Sequence, residues 1–508
     1  MYYAVVPHST EPEDAPRHPR VEPGGHLRIA EAAPPPADLP AERLARLFDH
    51  GAFEELDALV HHQAASWGMR EKRAPGDGVV VASGRVHGRP VFAFAQDRRF
   101  MGGSLGEAHA RKICKAMDLA ERVGAPLVGL LDSGGARIQE GVASLAGYGE
   151  IFRRNVRMSG RVPQISVVLG PCAGGAVYSP AMTDFIVLSE KDALMFVTGP
   201  KVVKQAMFED VDAATLGGPR VHAEKSGVAH LVRPSAAAAI DATRRLLAFL
   251  ITPRVASAPP DAGPALRDLV PRDFRKPYDV RSVVRAVVDV GTMLEIQPDF
   301  AKNVVVCLAR IEGRAVGIVA NQPRERAGVL DAAASRKAAR FVRTMSAFGV
   351  PLVSLVDVPG FLPGSAQEHG GIITHGAKLL YAYCEARVPR VTLVLRKAFG
   401  GAYIVMASKH LGADVNLAWA DAQISVMGAE GAVEVLHGKE LAALAEPRAR
   451  ARELCDRYRE EYMSVRIAAE RGWLDDVIEP ATTRDKIAYY LALLEGASSG
   501  AHHGNVPL

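Results

Sequence analysis

The sequence predicts an α/β protein that contains two tandem copies of one domain. The first observation is an internal repeat, in which Arg85-Val-His-Gly-Arg89 returns 225 residues later as Arg310-Ile-Glu-Gly-Arg314. At the same spacing Pro126-Leu-Val-Gly-Leu-Leu-Asp132 returns as Pro351-Leu-Val-Ser-Leu-Val-Asp357. The second observation is that short apolar runs alternate with segments of helical periodicity, which is typical of α/β units. Two copies of one fold can pair by pseudo-symmetry, so each local feature of one half is expected again in the other.

Two further matches fall in the same frame. Arg111-Lys112 returns as Arg336-Lys337, and after a slip of one residue Gly174-Gly175-Ala176 returns as Gly400-Gly401-Ala402. Four matches in one frame make coincidence a poor explanation, and they indicate a duplication of the whole domain.

Composition sets the expected domain boundaries. Residues 1–40 are rich in Pro, Glu and Ala and contain Ala33-Pro-Pro-Pro36, which predicts a flexible arm that cannot bury a core. Six prolines between residues 252 and 278 predict a linker. The expected domains are therefore residues 41–262 and 263–508.

The elements of the first copy are expected in the following order. Pro40–Phe48 has the apolar spacing of a helix, and two short β-branched runs flank His87-Gly88-Arg89, which predicts a hairpin. The remaining expected elements are a helix over 104–123, a strand over 127–131, a helix over 138–158, a strand over 165–169 and a loop over 170–176. The second copy is expected to place strands near 315–320, 352–356 and 391–395, followed by a helical tail over 441–471 that breaks at Glu446-Pro447.

The bulk composition argues against several classes of protein. A net charge of +4 over 508 residues is too small for a dedicated nucleic-acid surface. The five cysteines form no CxxC pair, so we expect reduced, buried thiols and no zinc site or other metal centre. No secretory signal or membrane-length apolar run is present, so the cytoplasm is the expected location.

Two glycine-rich loops are the first candidates for chemistry. Gly170–Ala176 and Arg396–Ala402 each follow an apolar strand and precede a helix-compatible stretch. Glycines before a helix free backbone N–H groups to point into a pocket, where the helix dipole helps them to hold an oxyanion. Close packing of helix on strand is the competing interpretation of one such loop. Two loops at equivalent positions favour a functional role.

A second pair of loops follows the Asp-ending strands. Asp132–Arg137 is small enough to let a ligand lie against its backbone, whereas Asp357–Phe361 is bulkier. Loops at the carboxyl ends of parallel strands are where α/β folds bind ligands. For Asp132 and Asp357 themselves, hydrogen bonding within the loop is a better interpretation than acid–base catalysis. The chain has no HExxH or P-loop motif, so an enzyme built this way would act by placing reactants beside backbone donors.

These motifs resemble those of the biotin-dependent acyl-CoA carboxyltransferases, the β subunits of propionyl-CoA and acetyl-CoA carboxylases in the crotonase superfamily. The matching strings of the first half are Gly102-Gly-Ser-Leu-Gly-Glu-Ala-His109, Asp132-Ser-Gly-Gly-Ala-Arg-Ile-Gln-Glu-Gly141 and Gly170-Pro-Cys-Ala-Gly-Gly-Ala-Val-Tyr-Ser-Pro180. Those of the second half are Asn321-Gln-Pro323, Asp357-Val-Pro-Gly-Phe-Leu-Pro-Gly364, Gly370-Gly-Ile-Ile-Thr-His-Gly-Ala-Lys378, Arg396-Lys-Ala-Phe-Gly-Gly-Ala-Tyr403 and the ending His503-Gly-Asn-Val-Pro-Leu508. The resemblance runs from about residue 45 to the end.

The resemblance implies two crotonase-like (ββα superhelix) domains and a homohexamer, a trimer of dimers in which the first domain of one chain faces the second domain of another. Acyl-CoA would lie on the first domain and biotin on the second. Carboxybiotin would release CO2 and leave a biotin enolate, which would take the α-proton of the acyl-CoA, and the new acyl-CoA enolate would capture the CO2. Biotin would arrive on an α subunit with biotin carboxylase and carrier domains, because this chain has no Ala-Met-Lys-Met site and no ATP motif. Neither a nucleic acid nor a membrane is an expected partner.

Site residues follow from the same resemblance. Catalytic backbone groups would come from Gly174, Gly175 and Ala176 for the thioester oxygen and from Gly401 and Ala402 for the biotin ureido oxygen, although sequence alone allows the two assignments to be exchanged. The acyl-CoA would contact Gly134, Gly135, Ala136, Arg137, Tyr178 and Ile404, and biotin would contact Phe361, Gly400 and Tyr403. Arg98, Arg99, Lys112 and Lys115 are further candidates for the CoA phosphates, with ordinary surface charge the simpler interpretation of each one.

Ile404 departs from the family pattern. Propionyl-type members usually carry Asp after Gly-Gly-Ala-Tyr, and Ile resembles enzymes that also accept acetyl-CoA. This implies tolerance of acetyl-, propionyl- and butyryl-CoA, since an apolar wall separates chains differing by one methylene by only about 1–3 kcal/mol. The alternative is that Ile404 only packs.

Three competing functions remain open. The same loops would serve a biotin-dependent decarboxylase, which moves CO2 in the opposite direction. A crotonase-type hydratase or isomerase would need carboxylates beside the oxyanion hole, and 170–178 and 396–403 contain none. A non-catalytic scaffold of the same fold is the third.

Overall fold

The structure, a computed structural model, describes residues 39–260, 263, 265–497 and 502–507. The predicted arm at residues 1–40 therefore lies almost wholly outside the described residues. From residue 38 onward the chain forms one compact unit. No helix in the described part of the chain is both long and apolar enough to cross a membrane.

Two sheets of eight strands carry the fold, one in each half of the chain. The strands of the first sheet are β1 (Phe53–Leu56), β2 (Val79–Val86), β3 (Arg89–Gln96), β4 (Leu127–Ser133), β5 (Gln164–Ala173), β6 (Phe185–Ser189), β7 (Leu194–Phe196) and β8 (Leu231–Arg233). Those of the second are β9 (Leu294–Ile296), β10 (Val304–Ile311), β11 (Arg314–Asn321), β12 (Leu352–Val358), β13 (Arg390–Phe399), β14 (Val415–Trp419), β15 (Gln423–Ser425) and β16 (Asp476–Ile478).

Helices accompany both sheets. In the first half they are α1 (Pro40–Leu47), α2 (Glu107–Val123), α3 (Val142–Met158), α4 (Tyr178–Met182), α5 (Pro200–Met207), α6 (Ala213–Gly217), α7 (Pro219–Val221) and α8 (Ala236–Ile251). In the second half they are α9 (Leu266–Leu269), α10 (Val280–Val287), α11 (Ala332–Ala347), α12 (Ser365–His369), α13 (Ile372–Glu385), α14 (Gly400–Val405), α15 (Ala429–Ala442), α16 (Pro447–Tyr458), α17 (Val465–Glu470) and α18 (Thr483–Leu493). The predicted α/β class is confirmed, and the predicted break at Glu446-Pro447 separates α15 from α16.

The two sheets have the same topology, as the duplication predicts. In the first sheet β1–β2–β3 pair antiparallel and β3–β4–β5–β6–β8 pair parallel. The second sheet repeats this with β9–β10–β11 antiparallel and β11–β12–β13–β14–β16 parallel. Because parallel strands end at one edge, the loops after β4 and β5, and those after β12 and β13, lie side by side.

The predicted hairpin is confirmed and occurs in both halves. His87-Gly88 joins β2 to β3 with φ angles of +52° and +73°, and Glu312-Gly313 joins β10 to β11 with +50° and +76°. Two consecutive positive φ angles give a type I′ turn, whose twist matches that of the flanking strands.

A matching ion pair clamps each hairpin. Asp49 accepts hydrogen bonds from both N–H groups of the first turn, at 3.2 and 2.9 Å, and from Arg244 at 2.8 Å. Asp289 does the same in the second half, at 3.0 and 2.8 Å, and accepts from Arg484 at 2.6 Å. The duplication therefore extends to side-chain networks whose residues lie far apart in the sequence.

Some predicted boundaries are wrong. The helix expected over 138–158 begins only at Val142, because Ile138–Glu140 forms a 3₁₀ turn and Gly141 has φ +55°. The helix expected from residue 104 begins at Glu107. The expected loop over 170–176 is strand as far as Ala173, since β7 pairs with its residues and extends the sheet locally.

The predicted linker at 252–278 is exposed over 253–259 and packs only in its later part. It contains α9, and Val270 and Tyr278 are buried in the apolar cluster of the second half. The boundary at 262/263 stays a prediction. Of the five cysteines, all free, the four at 114, 172, 307 and 455 are buried as predicted, and Cys384 is exposed.

The two halves share part of their core. One continuous apolar cluster contains Val128 and Ile165 of the first sheet together with Val306 and Leu352 of the second. Each half also has a cluster of its own. Shared burial of this kind makes the two halves depend on each other for stability.

The segment 502–507 ties the halves together with polar contacts. Asn505 donates from Nδ2 to Asp184 of the first half at 2.7 Å and to the Thr344 hydroxyl of the second half at 2.9 Å. Its N–H donates to the Ser159 hydroxyl at 2.7 Å, and Arg340 donates to its carbonyl at 2.6 Å. Asn505 and Asp184 are both buried, so these bonds are protected from water.

We expect Asn505→Ala to lower the free energy of unfolding by about 2–4 kcal/mol, because the buried Asp184 carboxylate loses a donor that water cannot replace. Val506→Ala, at the neighbouring exposed position, is the matched control and is expected to change stability little. Thermal and denaturant unfolding of the two variants measure this. Equal stability of Asn505→Ala and wild type would contradict the proposed tie between the halves.

Candidate active site

The two glycine turns occupy equivalent places and have equivalent backbones. After β5 the chain enters a 3₁₀ turn, Gly174–Val177, that leads into α4, and after β13 it enters α14. The first glycine of each turn has a positive φ, +61° at Gly174 and +60° at Gly400. An L-residue is strained in this conformation, which explains why both positions carry glycine.

Backbone N–H groups are the functional atoms of these turns. The first N–H groups of any helix lack a partner within the helix. Outside the bonds internal to helices and strands, the described residues show no hydrogen bond donated by the N–H groups of Gly175, Gly401 or Ala402, whereas the 3₁₀ turn that begins at Gly174 engages the Ala176 N–H with the Ala173 carbonyl. Each turn therefore offers at least one free donor at a helix start, an arrangement that stabilises a negatively charged oxygen by about 3–4 kcal/mol per donor.

The thiol of Cys172 forms a hydrogen bond with the backbone of the first turn. It is buried and donates to the carbonyl of Ala176 at 3.1 Å. Burial, helped by the Asp132 carboxylate, raises the pKa of Cys172 to about 12. The thiol therefore stays protonated at neutral pH and acts as a donor, not as a nucleophile.

The loop 134–136 lies directly against this turn. Gly135 has φ +104°, and a Cβ there would be 2.8 Å from the carbonyl of Ala173, the last residue before the turn. Leu105 bonds to both sides of this loop, donating to the Gly135 carbonyl at 2.9 Å and accepting from the Arg137 N–H at 2.9 Å. The structure thus brings together Gly134–Ala136 and Gly174–Ala176, as the sequence predicted.

Arg137 requires a correction, because its side chain does not face the surface. It is 0% exposed, and its guanidinium donates to Asp77 at 2.6 Å, to Glu140 at 2.7 Å and to the Ser104 carbonyl at 2.9 Å. A guanidinium held in this way cannot bind the phosphates of a ligand. Arg137 instead holds the loop 134–137 in place through these buried hydrogen bonds.

Most of the other cations that were predicted to bind the CoA phosphates are also buried or already paired. Lys112 is buried and donates to the carbonyls of Gly76 and Val79. Arg99 and Lys115 are paired with neighbouring aspartates. Arg98 is exposed. Of the five cations proposed from sequence, Arg98 is the one for which the described residues show neither burial nor an ion pair.

The aspartates at the strand ends are held by arginine in both halves. Asp132 accepts from both terminal nitrogens of Arg43 at 3.2 Å, and Asp357 accepts from Arg396 Nε at 2.9 Å. Arg396 also donates to three carbonyls of the segment 271–276. These contacts favour the structural interpretation of the two aspartates over acid–base catalysis.

The second turn has an aromatic ring beside it. A Cβ on Gly401 would lie 3.8 Å from the Phe361 ring, and one on Gly376 would lie 3.2 Å from the same ring. Phe361 is partly exposed, and Gly401 is exposed. Tyr403 lies on the other side of the turn with its ring 6.0 Å from that of His410, and burial raises its pKa to about 12. The sequence-predicted residues Phe361, Gly400 and Gly401 thus lie at one surface, whereas Tyr403 is buried behind the turn and its predicted contact with biotin is wrong for the side chain as it stands.

Tyr178 and Ile404 stand at equivalent positions, one helical turn beyond Gly174 and Gly400. Tyr178 is 47% exposed and Ile404 is 38% exposed. Both side chains can therefore meet a ligand that lies on the turn. The two halves present different groups at this position, a phenol in one and an aliphatic chain in the other.

One residue of the site was missed by the sequence analysis. Tyr148 of α3 places its ring against Gly175, so that a Cβ on Gly175 would lie 3.0 Å from it. In the sequence it is one apolar position in a helical pattern, which does not distinguish a residue at the site from one in the core.

Comparison with known proteins identifies the family. A model described as "Carboxyl transferase domain" matches residues 37–503. The chain is 51% identical to the propionyl-CoA carboxylase carboxyltransferase subunit of Haloferax mediterranei, over 96% of both chains. It is 50% identical to the methylmalonyl-CoA decarboxylase subunit alpha of Propionigenium modestum, over 92% of both chains.

A solved structure extends this likeness to the fold. The transcarboxylase 12S subunit, solved with methylmalonyl-coenzyme A and methylmalonic acid, matches with a TM-score of 0.88 and 48% identity over 93% of both chains. This confirms the predicted fold of two tandem crotonase-like domains. The resemblance drawn from the sequence motifs is confirmed as well, and the chain belongs to the carboxyl transferase family.

Proposed function

We propose that the chain is the carboxyltransferase (β) subunit of a biotin-dependent acyl-CoA carboxylase, which moves CO2 from carboxybiotin to the α-carbon of a short-chain acyl-CoA, propionyl-CoA or acetyl-CoA. The observation that carries this proposal is the pair of equivalent turns with free backbone donors. Two substrates that both develop negative charge on a carbonyl-type oxygen need two such sites. The names of the relatives from Haloferax mediterranei and Roseobacter denitrificans support propionyl-CoA as the acyl substrate.

The first turn takes the thioester. Loss of the α-proton moves negative charge onto the thioester oxygen, and the N–H group of Gly175, between those of Gly174 and Ala176, stabilises that charge as it develops. The loop Gly134–Ala136 offers small residues against which the acyl-CoA chain lies, and Tyr178 borders it. Arg137 acts only by holding that loop in place.

The second turn fits biotin. Its exposed Gly401 presents an N–H to the ureido oxygen, with the buried Ala402 as the neighbouring donor, and the partly exposed Phe361 ring offers an apolar face to the neutral ring system. Gly400 sets the turn, and Tyr403 packs behind it. When bound, carboxybiotin supplies the carboxyl group. The residues of this chain bind and orient that group and keep it beside the thioester.

An assembled enzyme is part of the proposal. Biotin and its ATP-dependent carboxylation are supplied by an α subunit with biotin carboxylase and carrier domains. The chain itself forms a hexamer, a trimer of dimers, in which the first turn of one protomer faces the second turn of another. Large exposed apolar side chains, which usually mark protein contacts, support this assembly. They include Met207, Phe208, Val435 and Leu436.

The test of function is carboxyl transfer by the purified chain. With carboxybiotin and a panel of acyl-CoA thioesters, we expect the corresponding carboxyacyl-CoA to form, with propionyl-CoA among the best acceptors. Coupling to a soluble, ATP-using α subunit is expected to sustain turnover. Transfer only in the decarboxylating direction, with a membrane partner, would instead support the role of the Propionigenium modestum relative. No transfer to any thioester would overturn the proposal.

A matched pair of glycine substitutions tests the second turn. Gly400→Ala places a Cβ 3.0 Å from the Val426 carbonyl at φ +60°, so the turn must shift, and we expect kcat for carboxyl transfer to fall by about 10- to 100-fold. Gly349→Ala carries the same kind of backbone penalty at φ +72° in open space and is the control. Kinetics and melting temperature are measured for both. The same loss of kcat in both variants would contradict the role of the turn.

Ile404 lies on the second turn of one protomer, which in the proposed dimer faces the first turn of another, and there it is expected to tune the choice of acyl chain. Replacing it with Asp removes apolar contact worth about 0.8 kcal/mol per methylene, so kcat/KM for butyryl-CoA is expected to fall relative to that for acetyl-CoA by up to about 10-fold. Ile404→Asn introduces a side chain of the same shape as Asp but without its charge. It therefore separates the effect of the lost apolar contact from the effect of the added charge. If kcat/KM ratios for acetyl-, propionyl- and butyryl-CoA stay the same in both variants, Ile404 has no part in selection.

A further inference from the structure

The ring of Tyr148 lies against the first turn. It lies on α3, is 5% exposed, and three atoms of its ring would be 3.0–3.3 Å from a Cβ added to Gly175. A second ring, that of Phe152, lies 5.7 Å away and in turn meets Tyr178 at 6.2 Å. A row of three aromatic rings therefore runs from the backbone of Gly175 to the exposed edge of the turn.

The hydroxyl of Tyr148 sits between the two loops of the first site. It is fully buried and has no hydrogen-bond partner of good geometry within the described ranges. Burial raises the pKa of Tyr148, and the nearby Ser133 hydroxyl lowers it only in part, so the phenol stays protonated at neutral pH. Ser133 in turn accepts from the N–H of Gly135 at 3.2 Å. A buried hydroxyl without a good partner destabilises a core, and its presence calls for a functional explanation.

The second half solves the same packing problem with a different residue. The place of Tyr148 is taken by Gly376 of α13. Seven residues further along the two helices, Asn155 and Tyr383 each accept at the carbonyl from the first residue of the next strand, Gln164 or Arg390. The ring beside the second turn comes instead from the loop, at Phe361, whose equivalent in the first half is Ala136. In the first half the aromatic ring comes from the helix, at Tyr148, and the loop carries the small Ala136. In the second half the ring comes from the loop, at Phe361, and the helix carries a smaller residue.

We propose that Tyr148 is a positioning residue of the first turn: its ring fixes the backbone of Gly175, and its hydroxyl sets the spacing between that turn and the loop 133–135. This inference rests on the proposed function, because it assumes that the first turn holds the thioester oxygen. It adds a residue that never touches the substrate and yet determines where the oxyanion donors stand. It also explains why Gly175 must be glycine although its φ is not positive.

A double-mutant cycle tests the role of the ring. Gly175→Ala drives a Cβ into the ring and is expected to lower kcat for carboxyl transfer by about 10-fold or more. Tyr148→Leu removes the ring that holds the backbone of Gly175 in place, and it is expected to lower kcat while the KM for biotin stays unchanged. In the double variant, the smaller Leu makes room for the Cβ, so kcat is expected to recover several-fold over Gly175→Ala. Phe152→Leu is the matched control, from which no recovery is expected, because its ring does not contact Gly175.

Tyr148→Phe tests the hydroxyl alone. Removing an unpartnered buried hydroxyl is expected to leave the melting temperature unchanged or raised, and a purely structural tyrosine would then keep full activity. We expect instead a 3- to 10-fold lower kcat/KM for the acyl-CoA. Full activity in Tyr148→Phe overturns the part assigned to the hydroxyl, and independent effects of Tyr148→Leu and Gly175→Ala overturn the part assigned to the ring.

Failure of this inference is distinguishable from failure of the proposed function. The binding of propionyl-CoA to every variant of the cycle is measured by calorimetry. The coupling between Tyr148 and Gly175 can then be determined from binding energies even if no variant turns over. Wild-type protein that binds propionyl-CoA but transfers no carboxyl group would overturn the function. An active wild type in which Tyr148 and Gly175 show no coupling in binding or in kcat would overturn the inference alone.

Discussion

Each half of the chain leaves a buried strand and enters a helix through one glycine with φ near +60°. That conformation turns the chain from the strand into a helix, whose first N–H groups, those of Gly401 and Ala402 in the second half, have no acceptor within the helix. The surrounding structure holds the turn in place, through the extra pairing of β7 on β5 and of β15 on β13. The chemistry depends on this backbone feature, because neither turn contains a side chain that could act as acid, base or nucleophile.

Duplication supplied two such turns, and divergence made them different. In the first half a small loop residue, Ala136, leaves open backbone for an extended ligand, and the ring that supports the turn lies beneath it, at Tyr148. In the second half the ring is on the loop, at Phe361, where a flat ring system can lie against it. In the proposed function the two halves share the set of donors, and the side of each turn that carries the aromatic ring decides which ligand fits.

The fold and the two turns could be predicted from the sequence because the repeat preserves residue identity at strand ends and glycines. The continuation of β5 to Ala173 could not, since it depends on pairing with β7, a three-residue strand with no distinct pattern of its own. Arg137 was misassigned because its burial follows from Asp77 and Glu140 meeting it in space. Tyr148 escaped notice for the same reason, because its contact with Gly175 joins two elements whose approach only the folded chain reveals.

Hydrogen exchange at the backbone amides of the two turns tests the central claim most directly, because it observes the proposed donors themselves. We predict that propionyl-CoA slows exchange at residues 174–176 and leaves 400–402 unchanged, and that biotin does the reverse. Protection of both turns by one ligand would show that the assignment of sites is wrong. Unchanged exchange at both turns, under conditions where both ligands bind, would contradict the account that these main-chain groups hold the substrates.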